Sequence, residues 1–540
     1  MILRKKILAI LCTISLTSSI LLSPTSVFAT EAKETPLPQE EFVDAVPGET
    51  IVPGETTEPG ETTEPGETTE PGETTEPGET TEPGETTEPG ETTEPGETTE
   101  PEEPVILSLE TPSISSVSCN TLGMVIKWSP VEHATSYSIY RKDSDGTFSY
   151  IDSSETTSYN DKESKTNGTA YSYYVKALYV EDPSAEIEEA VILESKRSAA
   201  KKGFFLTRGK LDQVICKSGK CTINWKLNEK ATKYQIQYAA EDTFTNATLL
   251  TTTVQSGKRI NLSKTKDYYL RIRSVKTHGG VNYTSPWSEK VKVIGWHKDF
   301  KYASNSAIHT DSATLYYSTI TKSKRKNIVV AINPGHGTMG GESKLTYCHP
   351  DHSPKVTTGS TTLGAIKAAA NNAGTTMTDG CSEAAAVLAV SLQLKKDLLS
   401  AGYDVLMLRE DADSQLDIVA RTVLANYYAD LHLSVHFDSS TLDKGAFYCS
   451  VPNVRSYRTM QPVKSFYKQH EALGTALISG LRENGYKIFN AGSMEVDLMQ
   501  TSYSTIPSVD IEVGDRATAH HGSGNLKKIT TGLVLGIQNY

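Results

Sequence analysis

Hydrophobic and polar positions change their period several times along the 540 residues, and each period predicts a different kind of element. A basic cluster, Arg4, Lys5 and Lys6, precedes an apolar-rich run at residues 7–22 and a small-residue stretch ending at Ala29. That order predicts a secretory signal peptide over residues 1–29, and a run shorter than the ~20 residues of a membrane span predicts no retained anchor. Cys12 lies inside the apolar run, which argues against a lipidated amino terminus. Residues 30–104 read as a linker, because the hexad PGETTE repeats eight times between positions 53 and 100 without one large apolar side chain. Such a segment has nothing to bury against the entropy of ordering it, and its prolines and glutamates keep it extended as a spacer.

From residue 105 to 296 the pattern alternates by two, as half-buried strands do, and repeats itself with an offset of 97 residues. Trp128 answers to Trp225, Tyr137 and Ile139 to Tyr234 and Ile236, and Tyr171 to Tyr268. Two units of this length, with short strands, a core tryptophan and a later tyrosine-bearing strand, resemble fibronectin type III domains. The resemblance implies two all-β sandwiches, residues 105–203 and 204–296, acting in spacing or adhesion. Residues 297–326 read as a linker.

The remaining residues, 327–540, switch between apolar runs and helical periods. Runs at 327–333, 404–409, 430–436 and 508–513 predict buried strands. Between and after them, residues 382–399, 415–428, 464–484 and 526–538 predict helices, the first with Val387, Val390, Leu394 and Leu398 on one face and Gly402 as its stop. Alternation of this kind predicts an α/β domain with a central, mostly parallel sheet flanked by helices.

Charge and cysteines alter this picture little. The formal charge of −13 resides in the spacer: without the sixteen glutamates of its hexads it becomes +3, matched by the three basic residues of the leader. The folded part is near neutral, and nothing in it points to nucleic acid. Six of the seven cysteines lie beyond the leader, in a compartment where disulfides persist. Cys216 and Cys221 flank a short turn and read as a bridged hairpin or as free thiols; Cys119, Cys348, Cys381 and Cys449 have no pairing the sequence fixes.

In α/β sheets ligands bind beyond the carboxyl ends of the strands. His336 follows the first strand between two glycines, His436 ends the third, Glu512 lies near the end of the fourth, and Glu383 opens a helix that leans over the same edge. Two imidazoles and a carboxylate suit zinc, which takes three protein ligands in catalytic sites and leaves a fourth position for water. The runs INPGHG, Ser382-Glu383, residues 405–409 with Asp413, Arg421 and Ala425-Asn426, then ADLHLSVHFD and PSVDIEVGD, together resemble the zinc-dependent N-acetylmuramoyl-L-alanine amidases over residues 327–540. The resemblance implies His336, Glu383 and His436 as Zn²⁺ ligands and Glu512 as the catalytic base. It implies a secreted, cell-wall-associated enzyme that cleaves the amide between N-acetylmuramic acid and L-alanine of peptidoglycan.

Two features depart from the family. Forty-six residues separate His336 from Glu383, and this insert, with Cys348, His349, Asp351 and His352, reads either as a second metal site or, by preference, as a rim loop stapled by Cys348 and Cys381. Asp438 stands where the family often has asparagine, and His520-His521 follow Glu512. Arg409 and Arg421 read as structural partners of helix or loop carboxylates. Two rival functions stay open: a catalytically weak wall-binding or adhesion protein, and another zinc hydrolase of peptidoglycan, a peptidase or a deacetylase.

Overall fold

Alternation by two folds each repeat into a pair of antiparallel sheets. In the computed structural model, residues 108–180, 192–359, 361–518 and 522–540 are described, within a unit running from Ser108 to Tyr540. The expected signal peptide, the hexad spacer, Cys12, His520 and His521 lie outside the described residues. In the first repeat, strands Ile114–Cys119, Met124–Trp128 and Ser158–Asp161 face a five-stranded sheet built on Ser136–Lys142 and Ala170–Val180. Met124, Ile126 and Trp128 are buried while Val125 and Lys127 between them are not, the signature of a half-buried strand. Trp128 packs edge-on against Tyr137 at 5.4 Å, and Trp225 meets Tyr234 at 5.3 Å, so the 97-residue repeat is reproduced in the packing. Cys216 and Cys221 are disulfide-bonded across the Lys210–Lys217 and Lys220–Lys226 hairpin, whereas Cys348 and Cys381 are both free, so the rim loop carries no staple.

The larger sheet of the second repeat does not close. Its strand Val291–Ile294 pairs antiparallel with Ala313–Tyr316, and that strand pairs antiparallel with Asp404–Met407. The segment expected as a linker thus contributes a strand that joins sandwich and α/β layers into one twelve-stranded sheet. In its middle, Asp404–Met407, Val329–Pro334, Leu431–Asp438 and Ser508–Asp515 run parallel in that spatial order. Beyond them Ala446–Ser450 lies antiparallel to Ser508–Asp515 and carries Ile488–Glu495 parallel to itself. The expected mostly parallel sheet is therefore mixed. Helices connect the parallel neighbours, including Val463–Glu483 between Ala446–Ser450 and Ile488–Glu495, whereas Ala313–Tyr316 and Ala446–Ser450 join the sheet without a helical crossover and run antiparallel to Asp404–Met407 and Ser508–Asp515.

Side chains alternate across the central strands into two cores. Val330 and Ile332 join the core that holds helices Glu383–Ala401, Val463–Glu483 and Ser523–Asn539, while Ala331 and Leu406 face helix Ile418–Tyr428. Val387, Val390, Leu394 and Leu398 are all buried, as their spacing predicts. Ser382 caps that helix by accepting from the Ala385 N–H at 3.3 Å, and Gly402 ends it with a left-handed φ of 101°. The first core is continuous with that of the second sandwich through Trp225 and Ile236. Among the described residues no helix is long and apolar enough to cross a membrane.

Candidate active site

Strand Val329–Pro334 delivers the chain into Gly335-His336-Gly337 at the sheet's carboxyl edge. His336 takes a left-handed φ of 61° and Gly337 one of 67°, a conformation the histidine adopts only because its surroundings impose it. Two buried arginines do so. Arg421 donates to the carbonyls of Pro334 and His336, at 2.9 and 2.8 Å, and to Asn333 Oδ1 at 2.9 Å. Arg409 donates to the carbonyls of Gly335, Ala384 and Asp411 at 2.9, 2.8 and 2.7 Å. The expected carboxylate partners are thus replaced by backbone carbonyls: both guanidiniums satisfy the acceptors of a tight turn rather than pair with an acid, and neither lies free to grip a peptide carboxylate.

Three side chains converge above this turn. His336 Nε2 lies 2.8 Å from Glu383 Oε1, and His436 Nδ1 lies 3.1 Å from His336 Nε2 and 3.2 Å from Glu383 Oε1. Each is oriented by its other end. His336 Nδ1 lies 3.0 Å from the Asn372 carbonyl, so its proton sits there and Nε2 offers a lone pair. Glu383 accepts from the Thr375 N–H at 2.9 Å and the Phe437 N–H at 3.1 Å, and His436 Nε2 meets Ser434 Oγ at 3.1 Å. Two glycines make room: a Cβ on Gly335 would stand 2.2 Å from the His436 ring, and one on Gly374 would stand 2.7 Å from the His336 ring. Burial alone would raise the Glu383 carboxyl, but the two imidazoles hold it well below the usual carboxylate range.

Glu512 sits beside His436, its partner in the parallel ladder. Its Oε2 is buried without a hydrogen-bond partner, and burial, then the neighbouring Asp510, push its carboxyl well above the ordinary value. Asp510 Oδ2 lies 3.7 Å from His436 Nε2 on the side away from Glu383. These residues line a cleft of about 680 Å³ whose far wall includes Lys355, Asn371 and Met499.

The insert forms part of that wall but gathers no metal-ligand cluster among the described residues. His349 is buried against Asp497, its Nε2 at 2.9 Å, and Asp497 also accepts from the Val356 N–H, so the imidazole and the acid close the loop on the sheet. Asp438 pairs with Lys444 at 2.7 Å. The sequence marks Cys449 only as a cysteine without a fixed partner and does not single out Asp510, although Asp510 stands two residues before Glu512 and so shares its face of the strand, as Ser434 shares that of His436.

Residues 330–538 match the family described as N-acetylmuramoyl-L-alanine amidase. No curated protein matches the chain. Among solved structures, the N-acetylmuramyl-L-alanine amidase Ami1 of Mycobacterium smegmatis is 16% identical, over 39% of this chain and 95% of that one, with a TM-score of 0.33. The N-acetylmuramoyl-L-alanine amidase of Clostridium difficile 630 is 18% identical over 39% and 96%, with a TM-score of 0.28. The chicken CNTN1 FN1–FN3 domains are 14% identical over 35% and 66%, with a TM-score of 0.21. Likenesses this distant decide nothing about the chemistry. The family match does assign the class: residues 330–538 are a domain of the N-acetylmuramoyl-L-alanine amidase family.

Proposed function

We propose that the chain is a secreted peptidoglycan hydrolase that cleaves the amide between N-acetylmuramic acid and the L-alanine of the stem peptide, with zinc held by His336, Glu383 and His436 and with Glu512 as base. The observation that carries this is the triangle of Nε2, Oε1 and Nδ1 atoms with sides of 2.8, 3.1 and 3.2 Å at the edge where α/β sheets bind ligands. The donor set fits the metal. Ligands ~2.1 Å from a tetrahedral zinc stand roughly 3.4 Å apart, so atoms this close have a common point within bonding reach of all three. One anionic and two neutral donors also match the usual charge of a catalytic zinc site.

Bound there, zinc would supply a Lewis acid for the lactyl carbonyl and bring a water's pKa to ~7. Glu512, beside His436, takes the proton of the attacking water and returns it to the departing amine of L-alanine. Arg409 and Arg421 hold the His336 turn in register, and the Asn372 carbonyl keeps that imidazole's Nε2 unprotonated. A cleft of about 680 Å³ is of the size that encloses a ligand of several residues. The basic and apolar amino terminus supports export, and the PGETTE spacer supports reach within the wall.

The roles separate by substitution. Glu512→Gln keeps the shape but loses the base, so release of stem peptides should fall ~10²–10⁴-fold with zinc content unchanged. His436→Ala should lose zinc and activity together, since two protein ligands hold the metal poorly at neutral pH. Metal analysis beside muropeptide release decides: a Glu512→Gln protein without zinc makes Glu512 a ligand, and one with full activity removes it from the mechanism.

A further inference from the structure

On the face of His436 turned away from Glu383, the sheet gathers a second donor set. Cys449, Asp510 and Glu512 each offer a ligand atom, and these atoms lie within 4.8 Å of one another. The placement follows from strand register. Phe447 pairs with Glu512 and Tyr448 with Ile511 in the antiparallel ladder, and continuing that register sets Cys449 opposite Asp510 on the same face.

Within this cluster one oxygen of each carboxylate lacks a partner. Asp510 Oδ1 and Glu512 Oε2 are buried with no hydrogen bond, and Cys449 is a free cysteine only 8% exposed. Buried carboxylate oxygens without donors are costly and call for a counter-charge. Lys444, close by, is already paired with Asp438. Cys449, Asp510 and Glu512 line the same cleft as the His336–Glu383–His436 triangle, so a cation that reaches the one set reaches the other.

We propose that Cys449, Asp510 and Glu512 form a second site for a divalent cation of zinc's class, adjoining the first, whose filling withdraws Glu512 from proton transfer. A thiolate beside carboxylates selects Zn²⁺, Co²⁺ or Cd²⁺ over the hard cations Mg²⁺ and Ca²⁺. Binding releases the thiol proton, so this site fills after the first and at higher free metal. The inhibitory consequence rests on the proposed role of Glu512 as base; the site itself does not.

The experiment is a Co²⁺ titration of the metal-stripped intact chain, followed by bound-metal analysis, near-ultraviolet absorption and stem-peptide release. About two equivalents should bind, and a thiolate-to-Co²⁺ charge-transfer band should grow with the second only. Release should rise with the first equivalent and fall on the order of 10²-fold with the second. Cys449→Ser, and independently Asp510→Asn, should bind a single equivalent without the band, and their ratio of release at high to low Co²⁺ should stay near unity. A parent chain that binds one Co²⁺, shows no thiolate band and stays active at high metal overturns the second site and leaves the amidase function standing. A band that survives Cys449→Ser also overturns it, because another thiol then carries the signal. Conversely, a Cys449-dependent band in a chain that releases no stem peptides at any loading upholds the site and defeats the amidase function.

Discussion

His432 and His470 show how single residues couple this fold to pH. Both are buried, His432 beside Ser508 Oγ at 3.1 Å and His470 accepting from the Ser508 N–H at 3.0 Å. Burial, with the charges of His470 and Arg421, pushes His432 down to about 3, and burial pushes His470 down to about 3. An unfolded histidine titrates near ~6.5, so between these values the unfolded chain binds more protons than the folded one. Their contribution to stability is therefore full above pH ~6.5 and is lost as pH falls toward 3, by up to ~2.7 kcal/mol per pH unit for the pair. Denaturant midpoints at pH 7, 6 and 5 for the parent and for His470→Gln check this, the variant losing less stability on acidification. Equal acid slopes in the two proteins would contradict it.

Gly374 offers a second test at this scale. With φ of +78° and a would-be Cβ 2.7 Å from His336 and 2.9 Å from Glu383 Oε2, it packs directly against two members of the proposed ligand triangle. Gly374→Ala should weaken zinc binding by ~10–100-fold, the usual effect of disturbing a ligand's supports, with far less effect on melting of the sandwiches. Competition with a zinc chelator measures it, and an unchanged affinity would show that the triangle tolerates the displacement.

At the scale of elements, what was legible in the sequence was what local pattern dictates. The two histidines follow apolar runs, and Glu383 follows a capping serine, so their place at the carboxyl edge could be read from strand and helix signals alone. The partners of Arg409 and Arg421 could not, because backbone carbonyls leave no mark in a sequence. Cys449 lies in a strand, Ala446–Ser450, whose apolar neighbours read as core, and its meeting with Asp510 depends on an antiparallel register that no turn announces. Ala313–Tyr316 is only four residues long, and nothing in them signals the sheet they join.

That short strand carries a prediction. Tyr316 donates to Glu410 at 2.5 Å, Lys395 pairs with Glu410 at 2.6 Å, and Lys395 also donates to the Asp212 carbonyl of the second sandwich at 3.0 Å. The ion pair is almost wholly buried, with side chains 7% and 4% exposed. A chain beginning at Asn327 loses the strand, the hairpin above it and two partners of this pair. Losing two hydrogen bonds to buried charged groups costs ~3–6 kcal/mol, which for a domain of this size lowers Tm by on the order of 10 °C. Calorimetry of chains beginning at residues 204 and 327 checks this. Equal melting temperatures would mean that the α/β layers stand alone and the sandwich is merely attached.

On the scale of the whole molecule, the proposed function brings the cleft of residues 330–538 to a polymer. The hexad spacer has nothing to bury, so shortening it should leave turnover of soluble muropeptides unchanged while activity on intact walls falls with reach. A lowered rate on the soluble substrate would show that the segment supports the catalytic domain. The most direct test of the central claim is mass spectrometry of purified peptidoglycan digested by the zinc-loaded chain. Cleavage at the proposed bond releases free stem peptides that begin with an L-alanine amino terminus, and chelation of the metal abolishes them. New reducing sugar ends, deacetylated glycan or cut stem cross-links without those peptides would contradict the account.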